Sequence, residues 1–507
     1  MTRLARVLLA VLPIAALVVF AGPASASGGA CESVAAPAVP GARVLTVSGV
    51  ERHGFVVPPG PFDPGPITDI PAFCEVVVTL THPGADDVVT IEVWLPLETW
   101  NGRFQGVGGG GFAAGFFDSS LAPEVKSGYA AASTDAGVDS GPNGPGTWAL
   151  RDDGTVNQEL LTNFASRSLH DLAVAGKALT ASFYGRPAAY TYWNGCSTGG
   201  RQGLMSAQRY PTDYDGILAA APAINWTKFV MAEQWPQVVM AQEGNRPSDC
   251  ELQAFADAAV AACDRVDKVA DGVIGDPRRC HYDPYRLVGK QILCDGQQVT
   301  ITRADAAVVA RIWAGPGVWS GLPRGTSFWG VAGPAPFPIS DDWIRYFLKR
   351  DPAFDTSTIT YRDWYRLYAQ SNSEYGETIG TDDPDLSAFR AAGGKMVTWH
   401  GEADELIFPT GTLDYRARVS RAVHGQVDDF YRVFMASGVG HCRGGVGPAP
   451  TNPMAAVVAW VEEGKAPETL PAANATSTRE LCRYPLVSRY VGGDPDAAAS
   501  FRCARSY

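Results

Sequence analysis

The sequence predicts an α/β protein whose sheet is interrupted by one large insertion. Apolar strands alternate with helical segments up to residue 224, and this alternation resumes at residue 395. Between them, residues 225–385 are rich in Trp, Tyr, Asp and Arg and show no such alternation. An insertion of this length typically covers the active site as a lid. We therefore assign residues 27–224 and 395–507 to a catalytic domain and residues 225–394 to a lid domain.

The first 26 residues predict a secretory signal peptide. Arg3 and Arg6 supply a short basic start, residues 7–22 form an apolar run, and Ala24-Ser25-Ala26 provides small residues for cleavage after Ala26. An N-terminal anchor helix is the alternative, but no apolar stretch of about 20 residues follows. We therefore expect a secreted protein.

The charge of the chain argues against one class of partner. The formal net charge is −12, and about −14 once Arg3 and Arg6 are removed with the signal peptide. A protein that binds nucleic acid needs a basic surface for the phosphates, so we predict no nucleic-acid partner. No later segment approaches transmembrane length, so we predict no membrane partner. The oligomeric state is not predicted.

The elements of the first half follow one another in a clear order. Residues 32–66 are interpreted as a Pro- and Gly-rich leader. Residues 75–80 and 88–95 are rich in Val, Thr and Ile and predict two strands separated by a turn. A third strand leads into the glycine run 108–111, and residues 158–184 carry the apolar spacing of a helix.

The remaining elements lie on either side of the insertion. Residues 189–193 and 216–220 predict two strands, with a helix over 201–210 between them. After the insertion, residues 395–399 and 430–436 predict two more strands.

The strand at 189–193 leads into Gly195-Cys196-Ser197-Thr198-Gly199, which matches the G-x-S-x-G nucleophile elbow. The motif requires a strand before a sharp turn and a helix after it, and the neighbouring elements supply both. If Cys196 were the nucleophile, a glycine would be needed two residues before it, where Asn194 stands. The sequence therefore predicts that Ser197 is the nucleophile.

A serine nucleophile needs a base to take its proton and a carboxylate to orient that base, in the chain order Ser, Asp or Glu, His. Four histidines follow Ser197. His281 lies in the insertion, His424 lies in a polar helical segment, and His400 precedes its nearby acid. His441 follows a strand and a glycine-rich turn, so it is the predicted base.

The predicted acid is Asp404, in the loop after the strand at 395–399. Glu402 and Glu405 lie on the same loop and remain alternatives. A carboxylate here would hold the His441 imidazole in the tautomer that accepts the serine proton.

The oxyanion formed during acyl transfer needs preorganised backbone N–H donors. One donor is predicted at Thr198, directly after the nucleophile. The second is predicted in the glycine run 108–111, because glycines let the backbone approach an anion closely. We select Gly110 and leave the other glycines of the run as alternatives.

Ten cysteines in an exported chain predict a set of disulfides. The sequence contains no C-x-x-C pair, so it gives no support for a zinc ribbon or a thioredoxin-like redox motif. Cys196 directly precedes Ser197 and Cys442 directly follows His441, which suggests a bridge between the two loops. The alternative is that each pairs elsewhere or stays free and buried.

With these motifs in place, the sequence resembles the tannase and feruloyl esterase family of α/β-hydrolases, which also contains the enzyme that hydrolyses mono(2-hydroxyethyl) terephthalate. The resemblance covers nearly the whole mature chain. Its strongest stretches are NGCSTGGRQGLMSAQRYPTDYDGILAAAPA (194–223), CDRVDKVADGVI (263–274), WHGEADELIFP (399–409) and GHC (440–442). The chain departs from the family at Glu402, where a tryptophan is common, and at HCRGG, where HCGGG is usual.

The resemblance implies an α/β-hydrolase fold with a large inserted lid domain. It also implies a Ser-Asp-His triad, which maps onto Ser197, Asp404 and His441, with a bridge between Cys196 and Cys442. It further implies the bridges Cys31–Cys74, Cys263–Cys280 and Cys482–Cys503. Cys250 and Cys294 then remain and pair by elimination.

One acidic segment of the insertion predicts a calcium site. Asp264, Asp267 and Asp271 are spaced so that one tight loop can turn three carboxylates inward, and such hard oxygen ligands suit Ca²⁺. A solvated acidic turn is the alternative for these residues alone. The resemblance implies a structural calcium site here and adds the carbonyls of Val269 and Val273 as ligands. No organic cofactor is expected.

The predicted function is that of a secreted serine carboxylic ester hydrolase acting through an acyl-enzyme. The resemblance implies esters of aromatic acids as substrates, feruloyl or galloyl esters for example, either small or linked to a polysaccharide. The acyl group would lie beneath the lid, where Trp and Tyr residues of 225–385 can stack on it. A hydrolase of another ester, such as a terephthalate monoester, is the alternative. A non-catalytic carbohydrate-binding or adhesion protein would lack a triad member, and none is missing.

Overall fold

The structure is a computed structural model that describes residues 31–60, 65–138 and 144–505. The predicted signal peptide and its cleavage position lie outside the described residues. Among the helices within these ranges, none has the length and apolar character needed to cross a membrane.

The strands and helices are numbered in chain order. Over the described residues the strands are β1 (Arg43–Arg52), β2 (Phe73–Thr81), β3 (Val89–Pro96), β4 (Arg103–Val107), β5 (Ala130–Thr134), β6 (Tyr190–Cys196), β7 (Gly216–Ala220), β8 (Gln291–Cys294), β9 (Gln297–Thr300), β10 (Lys395–Gly401), β11 (Tyr431–Ala436), β12 (Ala449–Pro450), β13 (Thr469–Ala473), β14 (Thr478–Cys482), β15 (Leu486–Tyr490) and β16 (Phe501–Arg505). The helices are α1 (Asp118–Lys126), α2 (Gln158–Thr162), α3 (Ser168–Tyr184), α4 (Thr198–Arg209), α5 (Trp226–Glu243), α6 (Asp249–Cys263), α7 (Arg303–Ala314), α8 (Pro338–Asp342), α9 (Tyr361–Ile379), α10 (Ser387–Ala391), α11 (Thr410–Ala422) and α12 (Pro453–Glu463).

Nine strands form one sheet in the order β1-β2-β3-β5-β4-β6-β7-β10-β11. The pairs from β1 to β5 are antiparallel, and those from β5 to β11 are parallel. Parallel strands are covered by helices on both faces, which explains why every residue of β5 and β7 is buried. The predicted α/β class is confirmed, and the carboxyl ends of β6, β10 and β11 meet at one edge, where such sheets bind ligands.

Each predicted strand and helix overlaps an observed one, but several observed elements were not predicted. The leader predicted over 32–66 contains β1, an edge strand paired with β2. The predictions also missed α1 and β5 and, after the insertion, α11, α12 and β12 to β16. The predicted helix over 158–184 is present as α2 and α3, joined by a π-helical turn, Asn163–Arg167.

The insertion leaves the sheet after β7 and returns to it at β10, and these two strands pair directly. It contains α5 to α10 and the β8–β9 hairpin, which lies outside the large sheet. Its core includes the fully buried Trp226 and Trp343 and continues into Phe112 and Phe164 of the first half. The insertion is therefore packed onto the loops around the sheet; the exact domain boundaries stay a prediction.

Five disulfides connect the chain: Cys31–Cys74, Cys196–Cys442, Cys250–Cys294, Cys263–Cys280 and Cys482–Cys503. They match the predicted pairs, and no cysteine of the described ranges is free. The Cys196–Cys442 disulfide joins the end of β6 to the loop after β11. It therefore lies at the carboxyl edge of the sheet.

Candidate active site

Ser197 stands at the sharp turn between β6 and α4. Its backbone has φ 62° and ψ −123°, a conformation that costs a non-glycine residue about 1–3 kcal/mol and is typical of a nucleophile elbow. The turn closes because Gly195 has no side chain: a Cβ there would lie 2.5 Å from the carbonyl carbon of Gly199. The local sequence thus explains why Ser197 projects from the edge of the sheet.

Hydrogen bonds from both flanks fix the elbow. The Ser197 N–H donates to the Ala220 carbonyl at the end of β7, at 3.1 Å. The Gly199 N–H donates to the Gly109 carbonyl at 3.0 Å, which ties the start of α4 to the glycine run. The nucleophile candidate is therefore held between two other loops of the same edge.

Asp404 and His441 form the predicted acid–base pair. His441 Nδ1 lies 2.8 Å from Asp404 Oδ2, and the Asp404 side chain is fully buried. The other carboxylate oxygen of Asp404 accepts the N–H groups of Leu406 and Ile407 at 3.0 and 2.8 Å. This network fixes the carboxylate and places the proton of a neutral His441 on Nδ1, which leaves Nε2 as the acceptor.

His400 is a partner of Asp404 that the sequence interpretation missed. Its Nε2 lies 3.0 Å from Asp404 Oδ2 and 2.9 Å from the Ile407 carbonyl, so this nitrogen carries a proton. Its Nδ1 lies 2.8 Å from the Thr412 hydroxyl. His400 was excluded as the base because it precedes the acid; in the structure it is a second donor to that acid.

The electrostatics of the pair follow from burial and mutual charge. Burial opposes ionisation of Asp404, but His441 and His400 outweigh it and hold the pKa of Asp404 well below its usual range. For His441, burial disfavours the cation, while the charge and hydrogen bond of Asp404 and the charge of Glu405 raise its pKa above the ordinary value. On α5, burial and then the charge of Asp404 raise the pKa of Glu233 well above its usual range. Burial and the charge of Asp404 therefore favour the neutral form of Glu233.

The two alternative acids do not contact the His441 ring. Glu402 accepts a hydrogen bond from the Ser437 hydroxyl at 2.7 Å, and burial raises its pKa to about 7. Glu405 accepts the backbone N–H of His441 at 3.2 Å. Of the three acids on this loop, Asp404 alone is positioned to orient the imidazole.

The disulfide between Cys196 and Cys442, whose Cα atoms lie 6.0 Å apart, joins the loops that carry Ser197 and His441. Within the described residues no hydrogen bond yet joins the Ser197 hydroxyl to the imidazole. Catalytic hydrogen bonds of this kind tighten when substrate binds.

The oxyanion donors can be identified by asking which N–H groups are already occupied. The Gly108 N–H donates to the Asn194 carbonyl at 3.2 Å, and the Gly109 N–H donates to Gln202 Oε1 at 3.1 Å. The Gly111 N–H has no acceptor among the described residues, and the Gly110 N–H has none of ordinary hydrogen-bond geometry there, although Gly110 faces Ala113 in an isolated antiparallel bridge. The Gly111 carbonyl accepts from the Thr198 hydroxyl at 2.7 Å, so the glycine run stays beside the elbow. This geometry favours Gly110 or Gly111 over the first two glycines.

The acidic segment of the insertion does not form a metal cluster in the described part of the chain, where no group of three or more His, Cys, Asp or Glu side chains is arranged to hold a metal. Asp264 Oδ1 accepts the backbone N–H groups of Asp271 and Gly272 at 3.0 and 3.1 Å. Asp271 Oδ2 pairs with Arg479 at 3.1 Å. The carboxylates are the right kind of ligand for calcium, but the site stays a prediction.

The site combines a serine elbow at the carboxyl edge of a parallel sheet with a buried acid–histidine pair. This combination is typical of serine hydrolases built on an α/β sheet. The family model for tannase and feruloyl esterase matches residues 74–333 and 337–504. The chain belongs to the tannase and feruloyl esterase family and is a carboxylic ester hydrolase.

Individual relatives agree with this family over most of their length. A probable feruloyl esterase of Arthroderma benhamiae is 48% identical, over 99% of this chain and 98% of that protein. A probable feruloyl esterase B of Aspergillus clavatus is 32% identical, over 80% and 81% of the two chains. The solved structure of the tannin acyl hydrolase from Aspergillus niger superposes with a TM-score of 0.84, at 27% identity and 94% coverage of both chains. The predicted α/β-hydrolase fold is therefore confirmed.

Proposed function

We propose that this ester hydrolase cleaves esters of aromatic acids, of the feruloyl or galloyl kind, through an acyl-enzyme formed on Ser197. The observation that carries the proposal is the 2.8 Å contact between His441 Nδ1 and the buried Asp404, on a loop joined by a disulfide to the neighbour of Ser197. The names of the relatives, feruloyl esterase and tannin acyl hydrolase, support this substrate class.

Acylation begins when Ser197 Oγ attacks the ester carbonyl carbon and His441 Nε2 takes the hydroxyl proton. Asp404 keeps its negative charge and stabilises the imidazolium that forms. The new C–O bond produces a tetrahedral oxyanion, which the N–H groups of Thr198 and Gly110 would hold. His441 then gives its proton to the leaving alcohol oxygen as the original ester bond breaks.

Deacylation repeats these steps with water. His441 removes a proton from a water molecule, whose oxygen attacks the acyl carbon of the ester on Ser197. Collapse of the second tetrahedral intermediate returns the proton to Ser197 Oγ and releases the free acid. Thr198 starts α4, so the positive end of that helix also favours the oxyanion in both steps.

The aromatic acyl group needs an apolar surface near the oxyanion donors. The Phe116 ring lies beside Gly110, where a Cβ would come within 3.3 Å of it, and Phe116 is half-buried. By contrast, Trp226, Trp343 and Trp364 are fully buried inside the insertion. These tryptophans stabilise the insertion, so we place the acyl ring against Phe116 rather than against them.

The substrate class is tested with a panel of esters that differ in the acid. We expect release of ferulate from methyl ferulate or gallate from methyl gallate, with kcat/KM at least ten-fold above that for mono(2-hydroxyethyl) terephthalate. Free acid is measured by chromatography. A preference for the terephthalate monoester would favour the alternative hydrolase, and no release from any ester would contradict the proposal.

Export of the chain is part of the proposal. The five disulfides support it, because such bonds persist in oxidising compartments outside the cytosol. The basic, apolar and small-residue pattern of residues 1–26 supports it as well.

A structural calcium ion in the insertion is a further part of the proposal. Asp264, Asp267 and Asp271 share one loop, and burial, followed by the charges of Asp271 and Asp264, raises the pKa of Asp267 to about 6. Carboxylates crowded onto one loop are the kind of ligand that a bound Ca²⁺ would stabilise. When bound, calcium would be held by these three side chains with the carbonyls of Val269 and Val273.

Chelation tests the calcium proposal. We expect EDTA to lower the thermal midpoint by several degrees and added Ca²⁺ to restore it, because an ion at 100 times its Kd stabilises the fold by about 2.7 kcal/mol. Asp267→Asn should lower the midpoint and make it insensitive to EDTA. Asp257→Asn, on the exposed face of α6, is the matched control and should keep the EDTA response. A wild-type midpoint that EDTA leaves unchanged would contradict this proposal.

A further inference from the structure

His400 is a fully buried titratable side chain that the proposed mechanism does not use. It lies on β10, one residue before the strand ends, and its backbone pairs with Met435 of β11. Because β10 lies between β7 and β11 in the large sheet, the ring is carried by a rigid element. The position of the imidazole is therefore set by the sheet and not by the loop that carries Asp404.

Both ring nitrogens of His400 are engaged. Nε2 lies 3.0 Å from Asp404 Oδ2 and 2.9 Å from the Ile407 carbonyl oxygen. Nδ1 lies 2.8 Å from the hydroxyl of Thr412, near the start of α11. An ionised carboxylate and a carbonyl oxygen can only accept hydrogen bonds, so the Nε2 proton of His400 is shared between them. The ring is thus fixed at both ends and directs one proton at the catalytic acid.

His400 and His441 meet the same oxygen of Asp404. His441 Nδ1 lies 2.8 Å from Oδ2, beside the 3.0 Å contact of His400. The other oxygen, Oδ1, accepts the N–H groups of Leu406 and Ile407. An ionised carboxylate offers about four lone-pair positions, and these four donors fill them. The two imidazoles therefore share one oxygen, and a change at one ring alters the hydrogen bond of the other.

This sharing affects how strongly His441 holds a proton. The charge and the hydrogen bond of Asp404 raise the pKa of His441. A carboxylate oxygen that already receives a hydrogen bond from a second donor attracts the imidazolium less strongly. A base that stays protonated at the working pH cannot take the proton of the serine hydroxyl. His400 therefore keeps the pKa of His441 lower than Asp404 alone would set it.

We propose that His400 is a positioning residue of the triad, which holds Asp404 Oδ2 in place and, by sharing that oxygen, limits the basicity of His441. His400 carries no proton in the reaction and acts on the substrate only through Asp404 and His441. The inference rests on the proposed function, because it assigns His400 a part in the reaction that begins at Ser197.

Two other acids face the acid–base pair. The charge of Glu405, on the same loop, raises the pKa of His441. Burial and then the charge of Asp404 raise the pKa of Glu233, on α5. The neighbours of His400 on α11 and β11, Thr412 and Met435, do not titrate. Both acids are kept in every variant described below, so a difference between their pH profiles reports on His400.

The test uses two amides that differ in reach. In His400→Asn the amide lies where Nδ1 was and ends short of Asp404. We expect kcat on methyl ferulate to fall about ten-fold to one hundred-fold, with KM within two-fold, because a buried charged acceptor loses a donor. The acid limb of kcat/KM should move up by about 0.5 to 1 pH unit, because Asp404 then acts on His441 alone.

His400→Gln is the rescue variant, since its longer side chain brings an N–H to the position of Nε2. It should recover most of kcat and return the acid limb toward that of the wild type. His424→Asn is the matched control and should change neither value. His424 is exposed and has φ 54°, a conformation that asparagine adopts readily.

A role in folding alone predicts the opposite shift. If His400 only shaped the loop, its loss would loosen the contact between Asp404 and His441, and the acid limb would stay or move down. Thr412→Val is a second variant, which frees the ring without removing it and should move the limb up by a smaller amount. If neither His400→Asn nor Thr412→Val moves the limb up, the inference is wrong.

A measurement without turnover separates this inference from the proposed function. The protein has seven histidines, and ¹⁵N-histidine NMR of Ser197→Ala can follow the titration of His441, identified by its loss in His441→Asn. Adding His400→Asn should raise the pKa of His441, and an unchanged or lowered pKa would overturn the inference. A wild type that hydrolyses no aromatic ester would contradict the proposed function, while this titration would still decide the role of His400.

Discussion

Replacing Ser197 with alanine is expected to lower kcat for ester hydrolysis by about 10⁵-fold to 10⁶-fold, with KM close to that of the wild type. The side chain lost is the proposed nucleophile, and the hydroxyl of the neighbouring Thr198 is engaged with the Gly111 carbonyl. Substrate binding in the ground state does not need Oγ, so KM should change little. Release of ferulate at saturating methyl ferulate measures the effect.

The matched control is Ser206→Ala on the same helix. Ser206 is buried and its hydroxyl donates to the Gln202 carbonyl at 3.0 Å, so it tests a serine of α4 outside the reaction. Its kcat should stay within two-fold of the wild type. If Ser197→Ala kept more than one per cent of kcat with an unchanged thermal midpoint, the nucleophile would be another residue.

Asp404→Asn should lower kcat by about 10⁴-fold while leaving the fold intact. Asp404 accepts four hydrogen bonds, two from backbone N–H groups at Oδ1 and two from His441 and His400 at Oδ2. An asparagine amide that keeps the backbone bonds must turn its NH₂ toward the histidines. His441 then presents Nδ1 as an acceptor and carries its proton on Nε2, where it cannot accept one from Ser197.

The pH profile separates this effect from a general loss of structure. Catalysis needs neutral His441, whose pKa is raised by Asp404 against the effect of burial. Activity of the wild type should therefore fall as pH drops through a value above that of an ordinary histidine. In Asp404→Asn the negative charge that favours the imidazolium is gone, so the pKa of His441 should be lower. The residual activity of this variant should therefore fall off at a lower pH than that of the wild type.

Glu402→Gln and Glu405→Gln are the controls for Asp404, since each removes a carboxylate from the same loop. Neither carboxylate touches the His441 ring, so each variant should lose less than ten-fold in kcat. If Glu402→Gln lost as much kcat as Asp404→Asn, the assignment of Asp404 as the acid of the triad would be wrong.

The strands could be predicted where the residue types along the chain reflect burial in a sheet. β2 and the first half of β3 alternate buried and less buried residues, and the Val, Thr and Ile content of both marks them as strands. β5 is Ala-Ala-Ala-Ser-Thr, and its small residues carry no strand signal although all five are buried. β1 is an edge strand with no fully buried residue, so it lacks the apolar pattern of a core strand. Its position follows from pairing with β2, which is not local information.

The candidate site was predictable where chemistry depends on chain order. Ser197, Asp404 and His441 follow from the elbow motif and from the requirement that acid and base lie on later loops. His400 was not found, because its approach to Asp404 depends on how the loop after β10 turns back. The preference for Gly110 or Gly111 depends on Gln202 and Asn194, which occupy the other two N–H groups. Contacts between distant residues decided both points.

The Cys196–Cys442 disulfide has a further consequence for the integrity of the molecule. It links residues 246 positions apart, so the chain between them, including the whole insertion, forms a covalently closed ring. A protease that cuts this ring once, at an exposed turn of the insertion, does not divide the protein into two pieces. The fragments that carry Ser197 and His441 stay joined beside the reacting groups. An enzyme built in this way can be cut once by a protease within the insertion and still keep its catalytic residues on one molecule.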